Sequence, residues 1–308
     1  MKSSGFPITD LARWNASGGI PDCSLEEARE YCRSLARKHY ENFSVATFFL
    51  PRALHPHFFS LYAYCRWADD LGDEVPENAE SLRLLDDWEA QFAALYSGEK
   101  PRHPVFRALG ETVREFGIPQ TIFSDLLSAF RQDRTVHEYA TREDLLDYCR
   151  RSANPVGRLV LYLARTTDDE SFRLSDSICT GLQLANFWQD VERDWREKGR
   201  IYIPRSDRQR FQCPDEVFHV KRATTPEFQA LLAEEVRWAE GFFEAGRPLI
   251  SRVPKTFRLE VRLFHDGGRA ILDAIRRQEF RVWEKRPEVG KLQKLRLLLR
   301  ALLRRSEN

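Results

Sequence analysis

The 308-residue sequence lacks a strong excess of either charge, and its formal net charge is +1. A nearly neutral chain has no global field that would recruit nucleic acid, so no nucleic-acid partner is expected. Residues 1–7 lack the apolar core of a signal peptide, and no apolar run in the sequence approaches the length of a membrane span. We therefore expect a cytoplasmic protein and leave open a peripheral contact with the inner face of the membrane.

Several motifs of common binding and catalytic sites are also missing. The six cysteines show no C-x-x-C spacing, so we interpret them as reduced core residues and exclude a disulfide framework or a zinc site. The seven histidines form no H-E-x-x-H pair. No glycine-rich dinucleotide fingerprint follows a strand.

Apolar side chains recur with helical spacing along almost the whole chain, and 42% of the residues are hydrophobic. This pattern predicts one all-α domain, which we place at residues 25–285, after a segment at 1–24 and before a basic tail at 286–308. A helix that starts near Pro56 is predicted, and others are predicted near residues 25–40, 79–97, 103–116, 119–133, 142–151, 155–166, 171–196, 226–247 and 256–284. Residues 197–225 form the longest irregular stretch and could close over a site as a lid.

Two acidic runs, at residues 69–74 and 186–194, lie inside apolar helical patterns. Their oxygen-bearing side chains at spacings of four are Asp69 and Asp73 in the first run, and Asn186, Asp190 and Asp194 in the second. Residues four apart share one face of a helix, so each set predicts an oxygen-rich ledge. Like charges at this spacing repel, and Mg²⁺ is the cation that best compensates them. Two facing ledges would suit a diphosphate held between helices by metal ions.

An ordinary solvated face is the alternative interpretation of each acidic run. The residues around both runs are apolar on nearly all sides, however, so these helices should be buried. Buried carboxylates rarely lack a partner. Arg66 lies one turn before Asp69 and could neutralise part of its charge or contact a phosphate. These features together favour a metal site.

The same segments carry a family resemblance. Residues 62–74 resemble the first motif of the squalene and phytoene synthases, and residues 183–194, continued by 199–204, resemble the second. Tyr148-Cys149 followed by Val156-Gly157 is similar to the stretch between the motifs, and the likeness covers roughly 25–285. It implies the all-α class I isoprenoid synthase fold with a Mg²⁺-dependent site in a central cavity. Within the family, the sequences of these motifs are most similar to those of bacterial hydroxysqualene synthases of hopanoid biosynthesis.

The resemblance also implies roles for individual residues. Mg²⁺, as two or three ions bridged to the diphosphate, would be held by Asp69, Asp73, Asn186, Asp190 and Asp194. Catalytic roles are implied for Tyr148, Arg66 and Tyr62. Substrate contacts are implied for His39, Tyr40, Phe43, Arg66, Gln183, Asn186 and Arg200. Ordinary core packing is the alternative for each aromatic residue, and a surface position is the alternative for His39.

The implied reaction takes presqualene diphosphate and water to hydroxysqualene and diphosphate, without NADPH. A second hypothesis is the head-to-head condensation of two farnesyl diphosphates to presqualene diphosphate or squalene, because the same aspartates would serve both reactions. A third is a non-catalytic helical scaffold, which would not need two buried acidic ledges.

Two positions depart from the family pattern. Asn154-Pro155 stands where relatives commonly have Ala-Gly, and Gly267-Gly268 stands where they often carry a tyrosine. The implied reaction passes through a carbocation that water captures. We expect these small and polar residues to leave room for that water molecule.

The C-terminal residues 291–305 are basic and amphipathic. Such a helix could rest on an anionic membrane, and the alternative is that its leucines pack on the body of the protein. The pattern alone does not decide between them. The sequence gives no oligomeric state.

Overall fold

The computed structural model describes residues 23–38, 50–99, 101 and 103–306. The chain divides into two compact units, the first ending at Thr135 and the second beginning at Val136. Both units are built from helices, and an isolated bridge between Glu138 and Ile201 is the extended pairing that the described residues contain. The all-α prediction is thus confirmed, while the predicted bounds of a catalytic domain stay a prediction.

In the first unit the helices are α1 (Leu25–Lys38), α2 (His55–Asp73), α3 (Asn78–Ala93), α4 (Pro104–Phe116) and α5 (Gln120–Gln132). A capping box begins α1, because the Ser24 hydroxyl accepts from the Glu27 amide at 3.2 Å and the Glu27 carboxylate accepts from the Ser24 amide at 2.7 Å. Pro56 lies in the first turn of α2, where its missing N–H leaves no bond unmade. Local sequence signals therefore fix where these helices begin.

Aromatic packing holds α2 inside the first unit. Trp67 of α2 stacks on Trp88 of α3 with ring centres 5.4 Å apart, and Tyr64 meets Phe123 of α5 edge-on at 4.9 Å. Each such ring pair contributes about 0.5–1.5 kcal/mol beyond simple burial. These contacts fix the orientation of the helix that carries the first acidic run.

In the second unit the helices are α6 (Arg142–Ser152), α7 (Asn154–Leu163), α8 (Asp169–Gln189), α9 (Val191–Lys198), α10 (Arg205–Arg210), α11 (Pro226–Gly246), α12 (Leu249–Arg252), α13 (Arg258–Arg277) and α14 (Lys291–Ser306). The long helix α8 packs against α7, α11 and α13. Glycines allow the close approach: a Cβ atom at Gly246 would lie 2.8 Å from the carbonyl oxygen of Leu174. The helix that carries the second acidic run is therefore enclosed by three others.

The predicted continuous helix over residues 171–196 is wrong, because it is broken into α8 and α9 at Asp190. There the backbone leaves the helical region, with φ −105° and ψ 17°. Main-chain bonds still cross the break, since the Asp190 amide donates to the Asn186 carbonyl at 2.9 Å and the Asp194 amide donates to the Asp190 carbonyl at 2.8 Å. Aspartate is a weak helix former, which is compatible with a break at this position.

Two other predicted helices are shorter than expected. The helix predicted over 79–97 ends at Ala93 and continues as turns. The helix predicted over 256–284 ends at Arg277, because Glu279 and Phe280 adopt φ values of 53° and 59° that a right-handed helix excludes.

The stretch 197–225 is more ordered than the sequence indicated. It contains α10 and a π-helical turn at Val217–Lys221. Its main chain is bonded to residues 137–140, with the Ile201 amide donating to the His137 carbonyl at 2.8 Å and the Arg205 amide donating to the Tyr139 carbonyl at 2.9 Å. These bonds fix the first part of the stretch to the body of the second unit, so the lid hypothesis is not supported there.

A buried ion network connects α6, α10 and α11 beneath α8. The Arg142 guanidinium donates to Asp207 at 2.9 Å and to Glu235 at 3.1 Å. The main-chain carbonyl of Glu235 accepts from the Trp188 indole N–H at 3.1 Å. Burial raises the pKa of the Glu235 carboxyl to about 7, against the opposing effect of Arg142. The network thus supports α8 two residues before Asp190.

This raised pKa predicts a pH-dependent stability. Between pH 4.5, the ordinary value, and about pH 7 the folded chain keeps a proton on Glu235 that the unfolded chain releases. The contribution is therefore complete below pH 4.5 and is lost as the pH rises through 7, by up to about 3 kcal/mol. Glu235→Gln should make the fall in unfolding free energy with pH less steep, as measured by urea denaturation from pH 4.5 to 8. Glu234→Gln, at the neighbouring and more exposed glutamate, should keep the wild-type slope. Equal slopes for all three proteins would contradict the prediction.

Candidate active site

The first acidic run lies at the end of α2, where Asp69 and Asp73 are half-buried on one face. Arg66 donates to Asp69 at 3.4 Å and also forms an ion pair with Asp70. The expectation that Arg66 neutralises part of this charge is confirmed. Its half-buried guanidinium also leaves it able to bind a phosphate.

Asp70 had no role in the sequence interpretation, yet it is the most buried acid of the first run, at 2% exposure. Burial raises the pKa of this carboxyl to about 7, and the Arg66 charge opposes the rise. Arg66 therefore serves two carboxylates, one buried and one half-exposed. The spacing of four between Arg66 and Asp70 is the signal that would have identified this pair.

The second acidic run is graded in exposure around the break between α8 and α9. Asn186 is exposed, Asp190 is 6% exposed, and Asp194 is half-buried. The Arg286 guanidinium donates to both oxygens of the Asp190 carboxylate. Its Nε donates to Oδ1, and its Nη2 donates to Oδ2 at 3.0 Å. Arg286 also donates to the side chain of Gln189 at 3.0 Å. A buried carboxylate of this run thus meets a cation in the structure.

Arg286 is a site residue that the sequence interpretation missed, because it was assigned to the basic tail. The hydrogen bonds with Asp190 raise the pKa of its guanidinium further. The Gln189 side chain donates to the Pro287 carbonyl at 2.6 Å, which holds the segment in place. Since 96 residues separate Arg286 from Asp190, no local pattern could have indicated the contact.

Asp194 and Arg200 lie beside a small cavity in the second unit. Burial, followed by the charge of Asp190, raises the pKa of the Asp194 carboxyl to about 7. The Arg200 amide donates to the Asp194 carbonyl at 3.2 Å, and the side chain of Arg200 is buried. The cavity measures about 10 Å³, and Trp283 contributes to its wall. It has room for one water molecule and is too small for a C30 chain.

Tyr148 lies in a cluster of aromatic rings in the same unit. Phe187 and Tyr202 stack with ring centres 3.6 Å apart and planes 8° from parallel. Tyr148 lies 6.2 Å from Phe187 and 5.5 Å from Tyr139. Phe187 and Tyr202 also line the cavity beside Asp194. The cluster places π faces around the second run, and the sequence interpretation had not included Tyr139 or Tyr202.

The remaining predicted residues are placed less tightly or not described. Tyr62 is half-buried on α2, and burial raises the pKa of its hydroxyl. Gln183 is half-buried on α8, one turn before Phe187. His39, Tyr40 and Phe43 lie outside the described residues.

A family model described as squalene/phytoene synthase matches residues 36–293. The chain belongs to the squalene/phytoene synthase family. It is therefore an enzyme of the squalene/phytoene synthase type, with the all-α class I isoprenoid synthase fold and an isoprenoid diphosphate as substrate.

This member of the squalene/phytoene synthase family is similar in sequence to several named proteins. A hydroxysqualene synthase of Zymomonas mobilis is 37% identical over 167 residues, an alignment that spans only 53% of this chain and 54% of that protein. A hydroxysqualene synthase of Sinorhizobium fredii is 33% identical over 74% of this chain and 76% of its own length. The crystal structure of squalene synthase HpnC from Alicyclobacillus acidocaldarius is 45% identical, with a TM-score of 0.80 over 83% of this chain and 96% of that chain.

The two departures from the family pattern have different surroundings. A Cβ atom at Gly268 would lie 2.3 Å from Phe243, so the ring of Phe243 fills this space and the expectation of room for water there is wrong. At Gly267 nothing lies within 4 Å of an added Cβ. Asn154 is buried, and its side-chain oxygen accepts from the Thr180 hydroxyl at 3.0 Å. It therefore ties α7 to α8.

The donor set of the second run suits a hard cation. Its oxygen ligands are two carboxylates and an amide, which Mg²⁺ prefers, and the Asp190 carboxylate already meets a positive charge in Arg286. Across the described residues, no three acidic, histidine or cysteine side chains stand close enough together to hold a metal ion. Mg²⁺ usually takes one or two carboxylates and completes its shell with water and phosphate oxygens, so the donor set fits the ion.

Proposed function

We propose that this chain converts presqualene diphosphate and water to hydroxysqualene and diphosphate, in a Mg²⁺-dependent step of hopanoid biosynthesis. The observation that carries the proposal is the second acidic run. Its buried carboxylate, Asp190, accepts hydrogen bonds from the Arg286 guanidinium, and an aromatic cluster lies beside it. The similarity to proteins named hydroxysqualene synthase supports this choice of reaction.

Each acidic run would hold Mg²⁺ through its own carboxylates. In the first unit these are Asp69 and Asp73, and in the second Asp190 and Asp194 together with the amide oxygen of Asn186. Bound Mg²⁺ would stabilise the negative charge of the leaving diphosphate. Arg286 is paired with Asp190, and its guanidinium is therefore close to the second run and a candidate to bind diphosphate oxygens.

The reaction starts when the carbon–oxygen bond to the diphosphate breaks and the diphosphate leaves with the electron pair. Arginine side chains favour this step by binding the departing anion. The candidates are Arg66, which is paired with Asp69 of the first run, and Arg286, which is paired with Asp190 of the second. The resulting cyclopropylcarbinyl cation rearranges and opens. Water then adds to the cation through its oxygen and loses one proton to the departed diphosphate.

The aromatic cluster suits a reaction that passes through a cation. The π faces of Tyr148, Phe187 and Tyr202 attract positive charge without forming a bond to it, and their burial keeps bulk water away. The cavity beside Asp194 has the volume of one water molecule. A restricted supply of water is what capture by a single molecule requires.

A second candidate is the condensation of two farnesyl diphosphates to presqualene diphosphate or squalene. It is favoured by the similarity to a solved structure that is named squalene synthase and is 45% identical to this chain. The same acidic runs would bind the diphosphates of this substrate. The scaffold hypothesis gains no support, because the chain belongs to a family of enzymes.

Offering each substrate separately distinguishes the two reactions. The purified protein with Mg²⁺ and no NADPH should convert presqualene diphosphate to a C30 alcohol and should leave farnesyl diphosphate almost unchanged, as followed by mass spectrometry of the extracted products. Chelation of Mg²⁺ by EDTA should stop the conversion. Turnover of farnesyl diphosphate at a comparable rate would favour the second candidate instead.

A further inference from the structure

The C-terminal helix α14 has two different faces. Ala301 is 2% exposed, whereas Leu292, Leu295 and Leu299 are 74%, 51% and 51% exposed. Positions 292, 295 and 299 follow the spacing of one helix face, and we call these three residues the leucine stripe. Three large apolar side chains that lie on successive turns of one helix face are costly to leave in water.

The rest of the second unit holds this helix in place. α14 packs against α13, and the Arg277 guanidinium of α13 donates to the side-chain oxygen of Gln293 at 3.0 Å. The alternative of packing on the body therefore describes only the face around Ala301. The leucine stripe lies on the opposite face, because positions 292 and 301 are about half a turn out of phase.

Basic side chains border the leucine stripe. Lys291 lies on one side of it and Arg296 and Arg300 lie on the other, and all three are exposed. None of the three forms an ion pair within the described part of the chain. The helix sequence contains no acidic residue, so its positive charge is not compensated locally.

We propose that α14 is a docking surface for an anionic lipid bilayer. The helix would lie parallel to the surface, with the leucine stripe in the region between headgroups and acyl chains and the basic residues against anionic headgroups. In the part of the chain that the structure describes, no helix is long and apolar enough to cross a membrane. A second copy of the chain is a poorer occupant, because pairing two stripes would bring uncompensated positive charges together.

Vesicle flotation of the full-length chain tests this surface. Binding is compared between phosphatidylglycerol-containing vesicles and pure phosphatidylcholine vesicles, and the oligomeric state is measured by sedimentation. One variant replaces the stripe (Leu292→Ser, Leu295→Ser, Leu299→Ser) and another replaces the bordering charges (Lys291→Gln, Arg296→Gln, Arg300→Gln). Val220→Ser is the control for an exposed apolar side chain, because Val220 is 72% exposed on another part of the chain. The control for lost charge is the set Arg83→Gln, Arg173→Gln and Arg237→Gln.

Binding to anionic vesicles should exceed binding to neutral ones. Each neutralised bordering charge should weaken it about fivefold, the stripe variant should abolish it, and both controls should bind as the wild type does. Because the replaced side chains are exposed, thermal melting should be unchanged. The proposal is overturned if the stripe variant binds anionic vesicles normally. It is equally overturned if the wild type is a dimer that the stripe variant dissociates while neither protein binds vesicles.

Discussion

Replacing Asp190 by asparagine is expected to lower turnover by about a hundredfold or more while the protein stays folded. Asp190 is the most buried acid of the second run, and the substitution removes the charge that would hold a metal ion. Two effects on stability oppose each other: the pair with Arg286 is lost, but the charge that raises the pKa of Asp194 is also removed. Because the Arg286 side chain is 42% exposed, water can solvate it, and the net change should stay within about 1 kcal/mol.

Asp176→Asn is the matched control for this experiment. Asp176 lies on α8, the helix that ends just before Asp190, and also accepts two hydrogen bonds from one arginine, Arg158, at 2.9 and 2.5 Å. It lies outside the acidic run, so its loss should cost stability without a comparable loss of turnover. The measurements are kcat with saturating Mg²⁺ and the thermal midpoint of each variant. Near-normal kcat for Asp190→Asn would show that the second run does not hold the diphosphate or its metal.

Adjacent glycines on α13 are expected to respond in opposite directions to the same substitution. Gly268→Ala should destabilise the protein by about 1–3 kcal/mol, because the new methyl group would lie 2.3 Å from the fully buried ring of Phe243. Gly267→Ala places its methyl group where nothing lies within 4 Å. Alanine is the better helix former, so this variant should be more stable by about 0.5–1 kcal/mol.

Urea unfolding of the two variants measures both effects, and each serves as the control for the other. The same pair locates the space that a family tyrosine would occupy: Gly267→Tyr should fold and Gly268→Tyr should not. A Gly268→Ala variant as stable as the wild type would mean that Phe243 moves away easily, and the packing of α13 against α11 would then be looser than the structure indicates.

The helices, and the position of the acidic runs on buried helices, could be predicted from the sequence because they depend on local patterns. The capping box at Ser24, the proline at the start of α2 and the apolar spacing around 69–74 each involve residues within a few turns. The pairing of Arg66 with Asp69 was predicted on the same basis. Family membership was predicted from the sequences of the two motifs, and the family model confirms it.

Contacts between distant residues could not be predicted in this way. Arg286 reaches Asp190 across 96 positions, and the Arg142–Glu235 pair spans 93. The break at Asp190 was not predicted either, because the backbone there keeps its local hydrogen bonds and changes only its dihedral angles. The predicted water space at Gly268 was wrong because the ring that fills it, Phe243, comes from another helix.

The origin of the product oxygen tests the proposed reaction most directly. The purified protein is incubated with presqualene diphosphate and Mg²⁺ in ¹⁸O-labelled water, without NADPH, and the C30 product is analysed by mass spectrometry. If water captures the cation, the product is an alcohol that carries one ¹⁸O atom in proportion to the label in the solvent. A C30 alcohol without the label, or a hydrocarbon with no alcohol, would contradict the proposed function.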